Sequence, residues 1–192
     1  LRIWLSRTEQ RALLDAVDGE PRRRIALGLG LHGLRTDEIL DVTPSDVREL
    51  SNGADGHVLT IEGGKTGKRE TPLGPDLAER IRYLKSADRD LHADDAIVDR
   101  STRTVRNWIT DARGALDDPN AAALGMHDLR RTWATDAYYS LALAGVPIAE
   151  QLVMSWGGWK QTTTGRETFR ENYLGPVPDH VTAAAFEHLP ME

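Results

Sequence analysis

Between Asp46 and Leu73 the helical periodicity that governs the rest of this chain gives way to short alternating segments separated by turn formers: Asn52-Gly53, Asp55-Gly56, Gly63-Gly64 and Gly67. A period of two over so few residues admits strands and excludes a helix, so His57 to Ile61 and Arg69 to Leu73 are expected as strands of a small antiparallel sheet. On either side, apolar residues return at the three- and four-residue spacing of helices. Ser6 or Thr8 is suited to cap a first helix running to about Val17, and Pro21 opens a second through Ile25 to Leu31 that ends near His32 and Gly33. Thr36 reads as the N-cap of a short third helix through Leu40, closed by Thr43-Pro44, which puts Arg35 in a tight corner between two helices. Further helices are expected over Asp76 to Lys85, Thr104 to Leu116, His127 to Leu143, Ile148 to Met154 and Val181 to Leu189. Gly145-Val146-Pro147 and Gly157-Gly158 break the pattern between them. The stripe Val105, Trp108, Ile109, Ala112 and Leu116 belongs to the core. The expected fold class is mainly α with one small antiparallel β-sheet inserted after the third helix, an α+β domain with no interior linker, repeat or low-complexity tract.

A chain of 192 residues fits one large domain and buries roughly 70% of its unfolded surface, so a hydrophobic core suffices without staples. The absence of cysteine excludes disulfides, thiolate metal sites and thiol nucleophiles, and favours an intracellular protein. Apolar runs are too short to span a bilayer, and Leu1 to Gln10 lack the layout of a secretory signal; a soluble, cytoplasmic protein is expected. The start at Leu1, without an initiator Met, suggests a piece of something longer. The formal net charge of -6 runs against nucleic-acid binding, which usually goes with a basic domain. Yet net charge is not local charge, and a composition poor in Lys and rich in Asp and Arg resembles the proteins of salt-loving microbes such as halophilic archaea. In concentrated salt counterion release contributes little, and short-range hydrogen bonds carry DNA affinity instead.

The strongest local signal is His127-Asp128-Leu129-Arg130-Arg131-Thr132. On a helix His127 and Arg130 share one face, while Leu129 and Trp133 share another that is buried. A His and an Arg presented together above a packed stripe suit an anionic group. Three other segments accompany it in order. They are Leu31-His32-Gly33-Leu34-Arg35-Thr36, the sheet segment Gly64-Lys65-Thr66-Gly67-Lys68-Arg69, and a late Phe169-Arg170-Glu171-Asn172-Tyr173-Leu174. Gly64-Lys65-Thr66 imitates the end of a phosphate-binding P-loop, but the position of that motif's first glycine is Leu59, and a strand follows where a helix is required.

Taken together, a Gly-Leu-Arg corner, a Lys between strands, a His-x-x-Arg helix and a C-terminal Tyr resemble the tyrosine recombinase, or phage integrase, family, over about Leu5 to Leu189. The resemblance implies the catalytic-domain fold of that family over residues 1 to 192, with the family's N-terminal DNA-gripping domain missing from the chain. It makes Arg35 and Arg130 the two arginines that clamp a phosphate, a role suited to planar groups that stay charged as the non-bridging oxygens gain charge. Lys65 matches the lysine that protonates the departing 5'-oxygen, with Lys68 as its rival, and His127 matches a general acid or base. Trp159, in Gly158-Trp159, fits the family's His or Trp position, with Trp156 as second candidate; an indole N-H donates but shuttles no proton. Tyr173 is then the nucleophile, while Tyr83, Tyr138 and Tyr139 are read as packing residues. One departure is the segment Lys160 to Arg166, which lengthens the path from Trp159 to Tyr173; a longer loop there either lets the tyrosine swing or puts its placement in doubt.

The implied reaction is attack of Tyr173 on double-stranded DNA to give a 3'-phosphotyrosyl link and a free 5'-hydroxyl, with no metal, cofactor or ATP. Such enzymes work as synaptic tetramers on paired sites; the isolated domain is expected to be a monomer without DNA. The last helix offers Val181, Ala185, Phe186 and Leu189 for partner docking. Three rival readings remain: a type IB topoisomerase-like relaxing enzyme, a catalytically silent DNA-binding accessory protein, and a metal-dependent hydrolase built on the six histidines, whose spacing matches no ligand motif.

Overall fold

The computed structural model describes residues 1–51, 53–62 and 67–189. Its elements run α1 (Arg7–Asp15), α2 (Pro21–Gly30), α3 (Thr36–Asp41), β1 (Val47–Glu49), β2 (His57–Ile61), β3 (Arg69–Leu73), α4 (Pro75–Ala87), α5 (Thr102–Ala112), α6 (Met126–Leu143), α7 (Ala149–Gly157), α8 (Thr163–Asn172) and α9 (Asp179–Ala185). The two expected strands have the expected bounds, and the class is mainly α with one small antiparallel sheet. Ser6 caps α1 in a capping box with Glu9, and Pro21 opens α2, where its missing N-H costs nothing.

The sheet has three strands in the order β1-β2-β3, all antiparallel, with His57 opposite Leu73 and Ile61 opposite Arg69. β1 was not legible because three residues are too few to show an alternation. β3 alternates buried and exposed residues, so Arg69, Thr71 and Leu73 all face inward. Most of the core lies between this sheet and α1 to α6, around Leu13, Ile25, Leu27, Leu29, Ile39, Leu59 and Ile109. A second, smaller apolar cluster lies beyond it, formed by Ala134, Val153, Met154, Trp159 and Phe169. Helix α6 joins the two: Met126 and Leu129 belong to the first and Ala134 to the second.

Four expectations need correction. Arg35, not Thr36, is the N-cap residue of α3, and the carboxylate of Glu38 accepts its backbone N-H at 2.7 Å. Helix α5 starts at Thr102 and ends at Ala112, after which a single 3-10 turn covers Arg113–Ala115. The last helix likewise ends early, at Ala185, with a 3-10 turn over Phe186–His188. Finally, the supposed long loop before Tyr173 is helix α8. Thr162 caps it by accepting the Gly165 N-H at 3.1 Å, and Phe169, fully buried, is its apolar anchor. One anchor gives no periodicity to read. Gly165 is required there because a Cβ would lie 2.0 Å from the Lys160 carbonyl oxygen.

Candidate active site

Two chain reversals bring distant segments to the start of α6. After α2 the chain turns through Gly33, whose φ of 88° is cheap only for glycine. A Cβ at that position would also meet the Trp133 ring at 2.4 Å, so the backbone is pressed against α6. After α7 the chain turns through Gly158 in the left-handed region, which carries Trp159 back under α6.

The carbonyls of these two corners hold Arg130. Its Nη1 donates to Gly33 O and its Nη2 to Gly157 O at 2.7 Å, while the guanidinium carbon stands 4.0 Å from the Trp159 ring centroid. Arg130 is fully buried and His127 is exposed, so the face that the spacing gives them in common runs from the rim of the site into its interior. The reason is tertiary: three residues along α6 carry Arg130 beneath the rings of Trp159 and Tyr173, whereas His127 stays at the rim. Burial, and next the charge of Arg35, bring the Arg130 pKa down to about 10, so it remains charged at neutral pH. Among the described residues Arg130 Nε and Trp159 Nε1 are buried donors without an acceptor. Such donors are costly to leave unpaired, and both lie in the layer next to Tyr173.

Tyr173, the C-cap residue of α8, completes the cluster. Its ring centroid lies 5.2 Å from that of His127 and 4.5 Å from that of Trp159, and 5.5 Å from the Arg130 guanidinium carbon. It is not on a free loop: its carbonyl accepts from Trp4 Nε1 and from Thr135 Oγ1, each at 3.0 Å, and Arg131 Nε donates to the neighbouring Asn172 carbonyl at 3.0 Å. Trp159 rather than Trp156 lies against the Tyr173 ring and the Arg130 guanidinium; Trp156 contributes a backbone carbonyl, which accepts from Arg69 Nε.

Arg35 and His127 line one groove of about 570 Å3 with Arg106 and Thr102 of α5. His127 is exposed as a residue, yet enough of its ring is covered for desolvation to be the main force lowering its pKa, followed by the charges of Arg131 and Arg130. Its imidazole is therefore neutral at pH 7 and able to accept a proton. Arg35 is oriented by Glu38, which accepts its Nη1 at 2.7 Å. Glu38 is itself buried and takes two further N-H bonds from Arg69, both at 2.8 Å. Burial alone would raise the Glu38 pKa; the Arg69 bonds, the Arg35 backbone N-H and both positive charges outweigh it and hold it at about 2.

Neither Glu38 nor Arg69 was singled out from the sequence, although the three-residue step from Arg35 to Glu38 is the usual spacing of a helical ion pair. Lys65 falls outside the described residues. Lys68, its rival, forms an exposed ion pair with Glu62 at 2.6 Å.

The low pKa of Glu38 sets an acid limit. Folding depresses it from 4.5, so its contribution is fully present above about pH 4.5 and is lost as pH falls toward 2. About 3 kcal/mol of stability should disappear across that window. Urea unfolding measured from pH 6 to pH 2 checks this: Glu38→Gln should flatten the profile, and an unchanged slope in that variant would count against the assignment.

No family model matches the sequence, and no curated protein is significantly similar to it. Solved structures nevertheless share its architecture, which is the tyrosine recombinase catalytic-domain fold. The crystal structure of the XerA recombinase matches all of this chain with a TM-score of 0.67 at 17% identity. The XerH site-specific recombinase bound to palindromic difH substrate, a post-cleavage complex, matches 98% with a TM-score of 0.60 at 20% identity. The Tn1549 transposon integrase in complex with transposon right end DNA matches all of it, with a TM-score of 0.57 at 15% identity. The match covers 67%, 54% and 67% of those chains respectively. Among the described residues no helix is long and apolar enough to cross a membrane, and no three His, Asp or Glu side chains gather closely enough to hold a metal ion.

Proposed function

We propose that this chain is the catalytic domain of a site-specific DNA recombinase or integrase, which breaks and rejoins DNA through a 3'-phosphotyrosyl link to Tyr173. The observation that carries the reading is the gathering of Tyr173, His127, Arg130 and Trp159 within 4.0 to 5.5 Å of ring or guanidinium neighbours, next to the groove that holds Arg35. Support also comes from the shared fold of XerH and the Tn1549 integrase, both solved with DNA.

In this mechanism Tyr173 Oη attacks phosphorus, and the bond from phosphorus to the 5'-oxygen breaks. The phenol proton passes to neutral His127, and the departing 5'-oxygen takes a proton from Lys65, a role that rests on the resemblance alone. Arg35 and Arg130 balance the charge on the non-bridging oxygens. Arg130 is pinned by two carbonyls and retains its Nε proton; since it is fully buried, a phosphate reaches it only when a covering ring shifts. Trp159 packs beneath the tyrosine and offers its indole N-H. Attack by a 5'-hydroxyl of another strand reverses the step, so the energy of the broken bond is conserved and ATP is not required.

The working assembly is a tetramer on paired DNA sites, aided by a separate N-terminal DNA-gripping domain. Phe186 and Leu189, each about half exposed after α9, are apolar groups suited to a neighbouring protomer, whereas Val181 is used in the chain's own core. The protein acts in the cytoplasm, and light scattering of the chain without DNA should return a monomer.

A selection experiment tests this reading. Nicked duplexes with randomised sequence around the nick are incubated with the chain, and covalently protein-bound DNA is recovered and sequenced. A recovered consensus supports the proposal; absence of any adduct from folded protein points to a silent DNA-binding module, and relaxation of supercoiled plasmid without site preference points to a topoisomerase. The acidic, lysine-poor composition further supports adaptation to concentrated salt. Self-repulsion of a protein with net charge -6 should relax on screening, so the thermal midpoint is expected to rise from dilute buffer to molar KCl. Full stability and activity in dilute buffer would remove that part of the reading.

A further inference from the structure

Arg69 is the first residue of β3, faces inward, and has a side chain only 7% exposed. It is too deep to touch DNA, and the proposed chemistry assigns it nothing. Yet all three nitrogens of its guanidinium fork are engaged. Nη1 and Nη2 donate to the two carboxylate oxygens of Glu38 at 2.8 Å, and Nε donates to the Trp156 carbonyl at 2.9 Å. Each of these partners is one step from a cation of the site. Glu38 Oε1 and Oε2 accept the Arg35 side chain and backbone N-H, both at 2.7 Å. The residue after Trp156 supplies the Gly157 carbonyl that holds Arg130 Nη2 at 2.7 Å. One buried side chain thus ties the end of α7 to the start of α3 and anchors both to the sheet.

We infer that Arg69 is a positioning residue for the phosphoryl-transfer reaction, fixing the separation of Arg35 and Arg130 through Glu38 and the Trp156-Gly157 backbone. The inference rests on the proposed function. Only a planar fork can make this connection, because two parallel N-H groups meet the carboxylate while a third points sideways to the carbonyl. A lysine in its place has one nitrogen and cannot span both acceptors at these distances. Two cations that must meet opposite oxygens of one phosphate tolerate little drift, and a displacement of about 1 Å remote from the chemistry can lower a rate ~100-fold.

The experiment uses Arg69→Lys, which keeps the charge, on the nicked duplex recovered in the selection, in two forms. One carries the native phosphate at the cleaved linkage and the other a methylphosphonate, which lacks one anionic oxygen and so depends less on the placement of the two arginines. Single-turnover adduct formation should fall ~100-fold on the phosphate and ~10-fold or less on the methylphosphonate, while DNA affinity stays within about threefold. A general loosening of the fold lowers both substrates equally, so an equal loss, or no loss, overturns the inference and leaves the proposed function standing. If Arg69→Lys does not fold, Arg69→Gln takes its place, because the Arg35 guanidinium still gives the buried Glu38 carboxylate a counter-charge. The same two outcomes are read from that variant. Failure of the unaltered chain to form any adduct would instead bring down the proposed function, and this inference with it.

Discussion

Tyr173→Phe is expected to remove the covalent protein-DNA adduct while folding and DNA binding persist. The substitution deletes one oxygen and leaves the ring that packs against His127 and Trp159. The anchors of the residue are backbone bonds, from Trp4 and Thr135 to its carbonyl, which the change does not touch. Stability should therefore move by less than about 0.5 kcal/mol, as for substitutions that break no buried feature. The adduct, in contrast, needs the phenol oxygen itself, and loss of a nucleophile with no substitute lowers the rate by at least about 10^4-fold. Denaturing gel analysis on a nicked suicide substrate reads the adduct, and fluorescence anisotropy reads binding. An adduct that survives in Tyr173→Phe would transfer the role to another residue and undo the site as described.

Glu38→Ala should be the most damaging single change to the fold among the residues around the site. Glu38 is 4% exposed and accepts four N-H bonds, two from Arg69 and two from Arg35. Removing it strands the buried Arg69 guanidinium without a counter-charge, which costs about 3 to 5 kcal/mol. For a chain of this length that corresponds to a fall in Tm of roughly 10 °C. Arg35 loses its backbone cap and side-chain partner at the same time, so adduct formation should fall further than Tm alone explains, even at a temperature where the variant is folded. Calorimetry and adduct assays on the same preparation check the two parts separately. A Tm within a degree or two of the parent would mean that the ion pair is dispensable.

Much of the site is legible along the chain because its residues sit beside local punctuation. Arg35 follows a Gly-Leu pair at a helix corner, His127 and Arg130 open a helix, and Trp159 follows a glycine pair. Tyr173 closes α8, a helix that the sequence conceals behind three threonines, a glycine and a single apolar anchor. The supporting residues are hidden for a different reason. Arg69 looks like an ordinary polar start to a strand, and only pairing of β3 with β2 turns it to the buried face opposite Ile61. Glu38 looks like one more acid in the first turn of a short helix. Its pKa of about 2 depends on a strand that arrives from thirty-one residues away.

What the sequence by itself determined is most of the elements and the candidate reactive groups, since periodicity and turn chemistry are properties of neighbours along the chain. The two sheet strands, most of the helices and the chemical identity of the arginines, histidine and tyrosine belong to that level. Only the tertiary structure decided that Arg130 lies buried beneath Trp159 and Tyr173 while His127 stays at the rim, that the tyrosine is fastened to α6, and that Arg69 and Glu38 bind the two arginine segments together. Those outcomes depend on close packing of elements far apart in the chain, where a buried charge is tolerated only if distant partners satisfy it.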